Sequence, residues 1–300
     1  MKREVVRTRR KGIIVAGGLG TRLYPITEGV SKELLPVYDK PMIYHPLSVL
    51  LLSGIRDILL VAAPGGLPRF RNLLGDGSRW GIRISYAVQH RPEGVPQAFI
   101  IGREFIGKDH VCLILGDNMF HGNGLKRILE NAAKPRRGSV IFGRRVPNPE
   151  RYGVLEFDET GNVVGIEEKP SDPKSNCAVT GLYYFDNRVT EIASSLRPSG
   201  RAELEMADVI KAYLKRGELR VEILGRKISW LDMGTPASLL DASQYVERIE
   251  RRRRVKLACL EEVAFRMGFI DWRQLARLAA GMPENSYGDY VRQLAITLGN

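Results

Sequence analysis

The chain predicts an α/β fold: a doubly wound, mostly parallel sheet, then a smaller β-rich insertion and a helical C-terminal region. Three observations carry this. Short apolar runs alternate with helix-length stretches through the first half, the pattern changes to alternating strands from about Tyr152, and from Pro236 onward the chain reads as helix after helix. Three hundred residues suffice for one large or two ordinary domains, because single cores stop growing near ~250 to 300 residues.

The apolar runs are GIIVAGG (12–18), DILLVAA (57–63), RISYAV (83–88), VCLILGD (111–117) and SVIFGRR (139–145), and each reads as a buried parallel strand. Between them, Met42 to Ser53 places Ile43, Leu47, Leu50 and Leu51 at helical spacing, and Gly124 to Ala133 does the same with Leu125, Ile128 and Leu129. VLEFDETGNVVGIEEK reads as a hairpin turning at residues 159–162, in an insertion expected to cover one end of the sheet. Helical stretches at Ser238 to Arg252, Leu260 to Met267 and Trp272 to Ala280 close the chain. Residues 1–10 form a basic extension, 11–235 the core and 236–300 the helical region.

Net charge is +12, but residues 1–11 and 247–256 hold +9 of it. The remaining +3 suits anionic metabolites better than a groove tracking a phosphate backbone, so no nucleic-acid partner is expected. Arg251 to Arg254 are expected to form a solvated face. No run approaches the ~18 to 20 apolar residues of a bilayer span, and MKREVVRTRR has charges where a signal peptide is apolar. A cytoplasmic protein without a membrane partner is the expectation. Cys112, Cys177 and Cys259 are odd in number and lack CxxC spacing, which points to buried thiols.

The most informative stretch is GGLGTRLYPITEGVSKELLPVYDKP (Gly17 to Pro41), directly after the first strand. Gly17, Gly18 and Gly20 let backbone N–H groups approach phosphate oxygens, and Arg22 and Lys32 add positive charge. The dinucleotide fingerprint fails because Leu23 stands at its third glycine. The near P-loop GREFIGKD (102–109) precedes a strand and carries Asp109 where the magnesium-binding hydroxyl belongs.

That loop, together with LGDNMF (115–120), ERYGVLEFD (150–158), EEKP (167–170) and WLDMGT (230–235), resembles the glucose-1-phosphate thymidylyltransferase family of sugar nucleotidyltransferases, from about Lys11 to Tyr290. The resemblance implies a Rossmann-like nucleotidyltransferase sheet with a sugar-binding part at about 150–205. It implies transfer of a deoxythymidylyl group from dTTP to glucose 1-phosphate, with Mg²⁺ held by Asp117 and Asp232 and downstream use in deoxysugar and cell-surface polysaccharide synthesis. By the same resemblance Gly17, Gly18, Gly20, Thr21, Arg22, Gln89 and Gly94 bind the nucleotide. Tyr152, Gly153, Glu168, Lys169, Val179 and Arg201 bind the sugar phosphate, and Arg22, Lys32 and Lys169 are the catalytic cations. A UTP-using enzyme and an inactive sugar-nucleotide-binding protein stand as alternatives, since thymine and uracil differ by one methyl group.

The chemistry fits these residue types. A sugar 1-phosphate, with second pKa near ~6, is ionised at neutral pH and needs no general base, so what remains is in-line positioning and charge compensation. EEKP puts Glu168 and Lys169 on opposite faces of a strand unless the backbone turns there. Pro96, Ala207 and Met233 depart from the family's usual residues and bear on specificity. The apolar Val263, Phe265, Phe269, Trp272, Leu275 and Leu278 need cover, in part from the same subunit. The family implies a homotetramer with a regulatory dTDP-sugar site between subunits.

Overall fold

The computed structural model describes residues 9–299, so residues 1–8 of the basic extension lie outside the described residues. In chain order the strands are β1 (Arg10–Ala16), β2 (Pro36–Val37), β3 (Lys40–Pro41), β4 (Asp57–Ala62), β5 (Arg83–Val88), β6 (His110–Leu115), β7 (Asn118–Gly122), β8 (Ser139–Arg145), β9 (Gly153–Phe157), β10 (Val163–Glu168), β11 (Cys177–Phe185), β12 (Leu219–Ile223) and β13 (Ile228–Asp232). The helices are α1 (Tyr44–Leu52), α2 (Leu67–Leu74), α3 (Gln97–Ile101), α4 (Arg103–Ile106), α5 (Leu125–Ala133), α6 (Val189–Ser195), α7 (Met206–Lys215), α8 (Pro236–Arg253), α9 (Leu260–Arg266), α10 (Trp272–Ala280) and α11 (Ser286–Gly299).

Strands β6, β1, β4 and β5 lie side by side and parallel. Both faces of β6, β1 and β4 are buried, as their continuous apolar runs require; β5, expected to be buried, is instead the edge strand, with only Ile84 buried and Arg83 and Ser85 exposed. Ile14, Ile58, Leu60 and Ile114 point to one core with α1 and the C-terminal helices, and Ile13, Leu59, Val61 and Leu113 point to the other with α6 and α7. The three cysteines are buried and free.

Three further features differ from the expectation. SVIFGRR is a buried strand, but β8 pairs antiparallel with β11 on one side and parallel with β12 on the other. The hairpin β9–β10 does not cover the sheet; it hydrogen-bonds to β11 through Ala178 and Val154 and so extends the same nine-stranded sheet. Burial of the C-terminal apolar residues comes largely from the same chain: Leu260, Ala264, Leu275 and Ala279 join the core that holds Trp80, with Val263, Phe265, Phe269 and Leu278 packed on it. Trp80 Nε1 donates to the buried Glu261 at 3.0 Å and fixes α9 there. Trp272 stays 44% exposed.

Candidate active site

A cavity of about 700 Å³ opens where β1 and β6 end, the usual ligand position of open α/β sheets. Strands β7 and β13 form an antiparallel ribbon along it, with Asp232 opposite Asn118 and Trp230 opposite Phe120. Paired residues share a face and the side-chain period is two, so WLD aims Trp230 and Asp232 into the cavity. Leu231 packs instead on a third core with the buried Met119 and Met233. Met233 thus points away from the site, and its departure from the family pattern does not bear on specificity directly. The following Thr235 caps α8, its side chain accepting from Ser238 N at 3.2 Å, which anchors the loop carrying Asp232.

The glycine loop has divided roles. A Cβ at Gly17 would lie 2.0 Å from Gln89 Oε1, so Gly17 makes room for that amide instead of lining the cavity. Gly18 and Gly20 do line it, and Gly20 has φ +64 at the start of the turn that carries Thr21 and Arg22, a backbone region that favours glycine. Leu23, which excluded the dinucleotide fingerprint, is fully buried. Arg22 lies against Gly234, where a Cβ would be 2.4 Å from Arg22 Nη2 and 3.1 Å from Asp232 Oδ1.

Lys32 Nζ donates to Asp117 Oδ2 at 2.5 Å. Burial opposes the Lys32 charge, but Asp117, Glu33 and Asp232 overcome it and raise its pKa. Burial likewise opposes the Asp117 charge, and Lys32 with Asn118 overcomes that and lowers its pKa. Asp232 goes the other way, raised first by burial and then by Asp117, against the pull of Arg22, Lys32 and Arg151. Such an opposed pair accommodates a further cation. Among the described residues no three His, Cys, Asp or Glu side chains cluster as metal ligands, so any ion here would have two carboxylates and would fill its other positions from water and phosphate. Mg²⁺ binds in that manner.

The residues expected at the sugar phosphate stand opposite. β10 ends at Glu168 and Lys169 takes φ +48, so the backbone turns at Lys169 itself, and both side chains line the cavity with Tyr152, Gly153 and Val179. Lys169 N donates to Tyr152 O at 2.9 Å, which locks that turn to β9. Burial raises the Glu168 carboxyl, Lys169 opposes it, and Glu205 adds to the rise. Arg201 is outside the lining and pairs with Glu205 at 2.9 Å and with Glu168 at 4.0 Å. Ala207 and Met206 line the cavity from the first turn of α7.

Gln89 and Gly94 are also outside the lining. Gln89 Nε2 donates to Gln97 Oε1 at 2.6 Å, and Gln97 Nε2 to Glu93 Oε2 at 2.8 Å, so this amide is already engaged. Gly94, at φ +101, packs on the backbone of Leu204, which does reach the cavity. Pro96 precedes α3 as its N-cap residue, where no helical N–H is lost. His90 is exposed and His121 bonds Tyr245 at 2.8 Å, so neither histidine is placed for catalysis.

Four residues of the site escaped the motif reading. Arg151 brings Nη2 to 3.9 Å from Asp232 with no hydrogen-bond partner for that buried atom. Glu33 is fully buried beside Lys32, whose Nζ lies 3.8 Å from its Oε1, and neither carboxyl oxygen accepts a hydrogen bond. Asn118 and Trp230 flank the aspartates, and strand periodicity in DNMF and WLD was the available signal.

The model of the nucleotidyl transferase family matches residues 11–249. A Neisseria meningitidis glucose-1-phosphate thymidylyltransferase is 56% identical over 284 residues, covering 95% of this chain and 99% of that protein. The chain belongs to the glucose-1-phosphate thymidylyltransferase family. A Xanthomonas campestris member is 54% identical over 288 residues, 96% of this chain and 98% of its own. A Bacillus anthracis crystal structure assigned to this family, in complex with sucrose, superposes with a TM-score of 0.73 at 38% identity, over 79% of this chain and 95% of its own. A UDP-glucose pyrophosphorylase complexed with UDP-glucose shares the fold at a TM-score of 0.68 and 24% identity, over 80% of this chain and 98% of its own.

Proposed function

We propose that the chain transfers a deoxythymidylyl group from dTTP to glucose 1-phosphate, releasing pyrophosphate and forming dTDP-glucose, with Mg²⁺ as cofactor. The observation that carries this reading is the pair Asp117 and Asp232, flanked by Arg22, Lys32 and Arg151, in one cavity with Glu168, Lys169 and Tyr152. The sugar's phosphate oxygen attacks the α-phosphorus and pyrophosphate leaves. Arg22 and Lys32 face the triphosphate and offset its charge, while Lys169 and Arg201 hold the sugar's phosphate in line. Two of these cations start on internal counter-ions, Lys32 on Asp117 and Arg201 on Glu205, which a phosphate group would replace. Asp117 and Asp232 would hold Mg²⁺, which when bound supplies Lewis-acid neutralisation of phosphate oxygens. Glu168 accepts from a sugar hydroxyl.

The same reading makes the chain a cytoplasmic homotetramer that supplies dTDP-glucose for deoxysugar and cell-surface polysaccharide synthesis and is inhibited by a downstream dTDP-sugar. No helix among the described residues is long and apolar enough to cross a membrane. Exposed Trp272, Ile296 and Leu298 support contact between subunits. A second cavity of about 320 Å³, between His121, Leu257 and Val263, supports a site apart from Asp117. Phosphorus NMR of the purified chain with glucose 1-phosphate, Mg²⁺ and either dTTP or UTP tests the activity. The expected spectrum shows dTDP-glucose and pyrophosphate, both abolished by excess chelator; no product from dTTP would refute the reading.

A further inference from the structure

Asn118 is buried at the start of β7, next to Asp117. Its Oδ1 accepts from Trp230 Nε1 at 2.6 Å and from Gly181 N at 3.1 Å. Gly181 lies where β11 slips out of register with β8, between Val179 and Tyr183. Gly181 has to be glycine, since a Cβ there would lie 2.6 Å from Asn118 Oδ1 and 2.7 Å from Leu115 Cδ1. With two donors on its oxygen, the Asn118 amide has one orientation left, and Nδ2 donates to Asp117 Oδ1 at 3.0 Å. Lys32 holds the other oxygen, Oδ2. Trp230 is itself steadied by the ring of Tyr152, edge-on at 5.1 Å.

We propose that Trp230 is a positioning residue for Asp117, acting through the amide of Asn118. Without the indole N–H, the amide loses one of the two donors that fix its orientation. A flipped amide would turn Oδ1 toward Asp117 Oδ1, setting oxygen against oxygen. The carboxylate then loses the bond that stops it turning about its own axis when a cation replaces Lys32 at Oδ2. The geometry presented to a divalent ion depends on a tryptophan that donates no ligand, the usual work of a residue behind a metal ligand. This inference rests on the reading of Asp117 as a metal ligand.

The test measures Mn²⁺ binding to the full chain from the paramagnetic resonance signal of the free ion, with no turnover involved. Trp230→Phe keeps an aromatic ring against Tyr152 and removes the N–H donor together with part of the indole. It is expected to weaken Mn²⁺ binding about tenfold while the melting temperature holds. Asn118→Ala is expected to weaken it as much or more. The double variant is expected to bind no worse than Asn118→Ala alone, because residues that act through one another do not add. Should Trp230→Phe fail to fold, Asn118→Ala alone tests the amide, and Mn²⁺ binding left unchanged in that variant would overturn the relay. Mn²⁺ binding left unchanged by Trp230→Phe, or losses that add in full in the double variant, would overturn the relay. A wild-type chain that binds no Mn²⁺ would overturn the metal reading as well.

Discussion

Glu33 lies wholly inside the protein beside Lys32, its two oxygens without a hydrogen bond. Burial pushes its carboxyl up from 4.5 to about 7, against the pull of Lys32. Between those values the folded state binds more protons than the unfolded, so this group makes stability fall as pH rises. Glu33→Gln should therefore melt with the wild type near pH 4, gain progressively through pH 7 and level off above it, by at most roughly 3 kcal/mol. A gain independent of pH would show that Glu33 is not the protonated group. At the proposed metal pair, Asp117→Asn and Asp232→Asn keep volume and remove charge; each should cut turnover by two or more orders of magnitude with folding intact. Retention of a tenth of the wild-type rate in either would refute the assignment. Asp117 was legible in LGDNMF at the end of a strand, and Asp232 in WLDMGT through the family resemblance alone. Glu33 was not, since nothing in KELLP shows that the glutamate turns inward.

Strand β11 shows at the scale of elements why legibility ran out where it did. All nine residues of CAVTGLYYF are buried, so no alternation marks them, and Thr180 and Gly181 interrupt the apolar run as a turn would. The glycine is there for Asn118, a contact 63 residues away in sequence. Strands β4, β5 and β8 and helix α10 needed no such distant partner, and their apolar patterns located them closely. A second tertiary feature, invisible to pattern, joins β3 to the end of α8. Lys40 is buried and bonds Glu250 at 2.8 Å, while Lys256 reaches Glu250 at 3.0 Å and also pairs with Asp39. Removing one partner of a buried network strands the others. Lys40→Met should cost about 3 kcal/mol or more in urea unfolding, and a loss under about 1 kcal/mol would show the network to be well solvated.

The whole molecule is one α/β unit whose C-terminal helices complete its largest core. Ending the chain at Val255 would strip Leu260, Ala264, Leu275 and Val291 from Trp80 and its neighbours, so that truncation is expected to lose cooperative unfolding by circular dichroism. A truncated chain with an unchanged melting curve would contradict this packing. Assembly is therefore better tested on the full chain by light scattering, where a mass near four times 33.6 kDa is expected and a monomer would contradict the tetramer. The proposed reaction is a metal-assisted thymidylyl transfer in the cavity lined by Asp117 and Lys169. Its most direct test is an anomalous-difference map of crystals grown with Mn²⁺ and dTDP-glucose. One manganese peak is expected at the carboxylates of Asp117 and Asp232, with the diphosphate beside it and the glucose against Tyr152 and Glu168. Manganese or the nucleotide sugar bound only outside that cavity would contradict it.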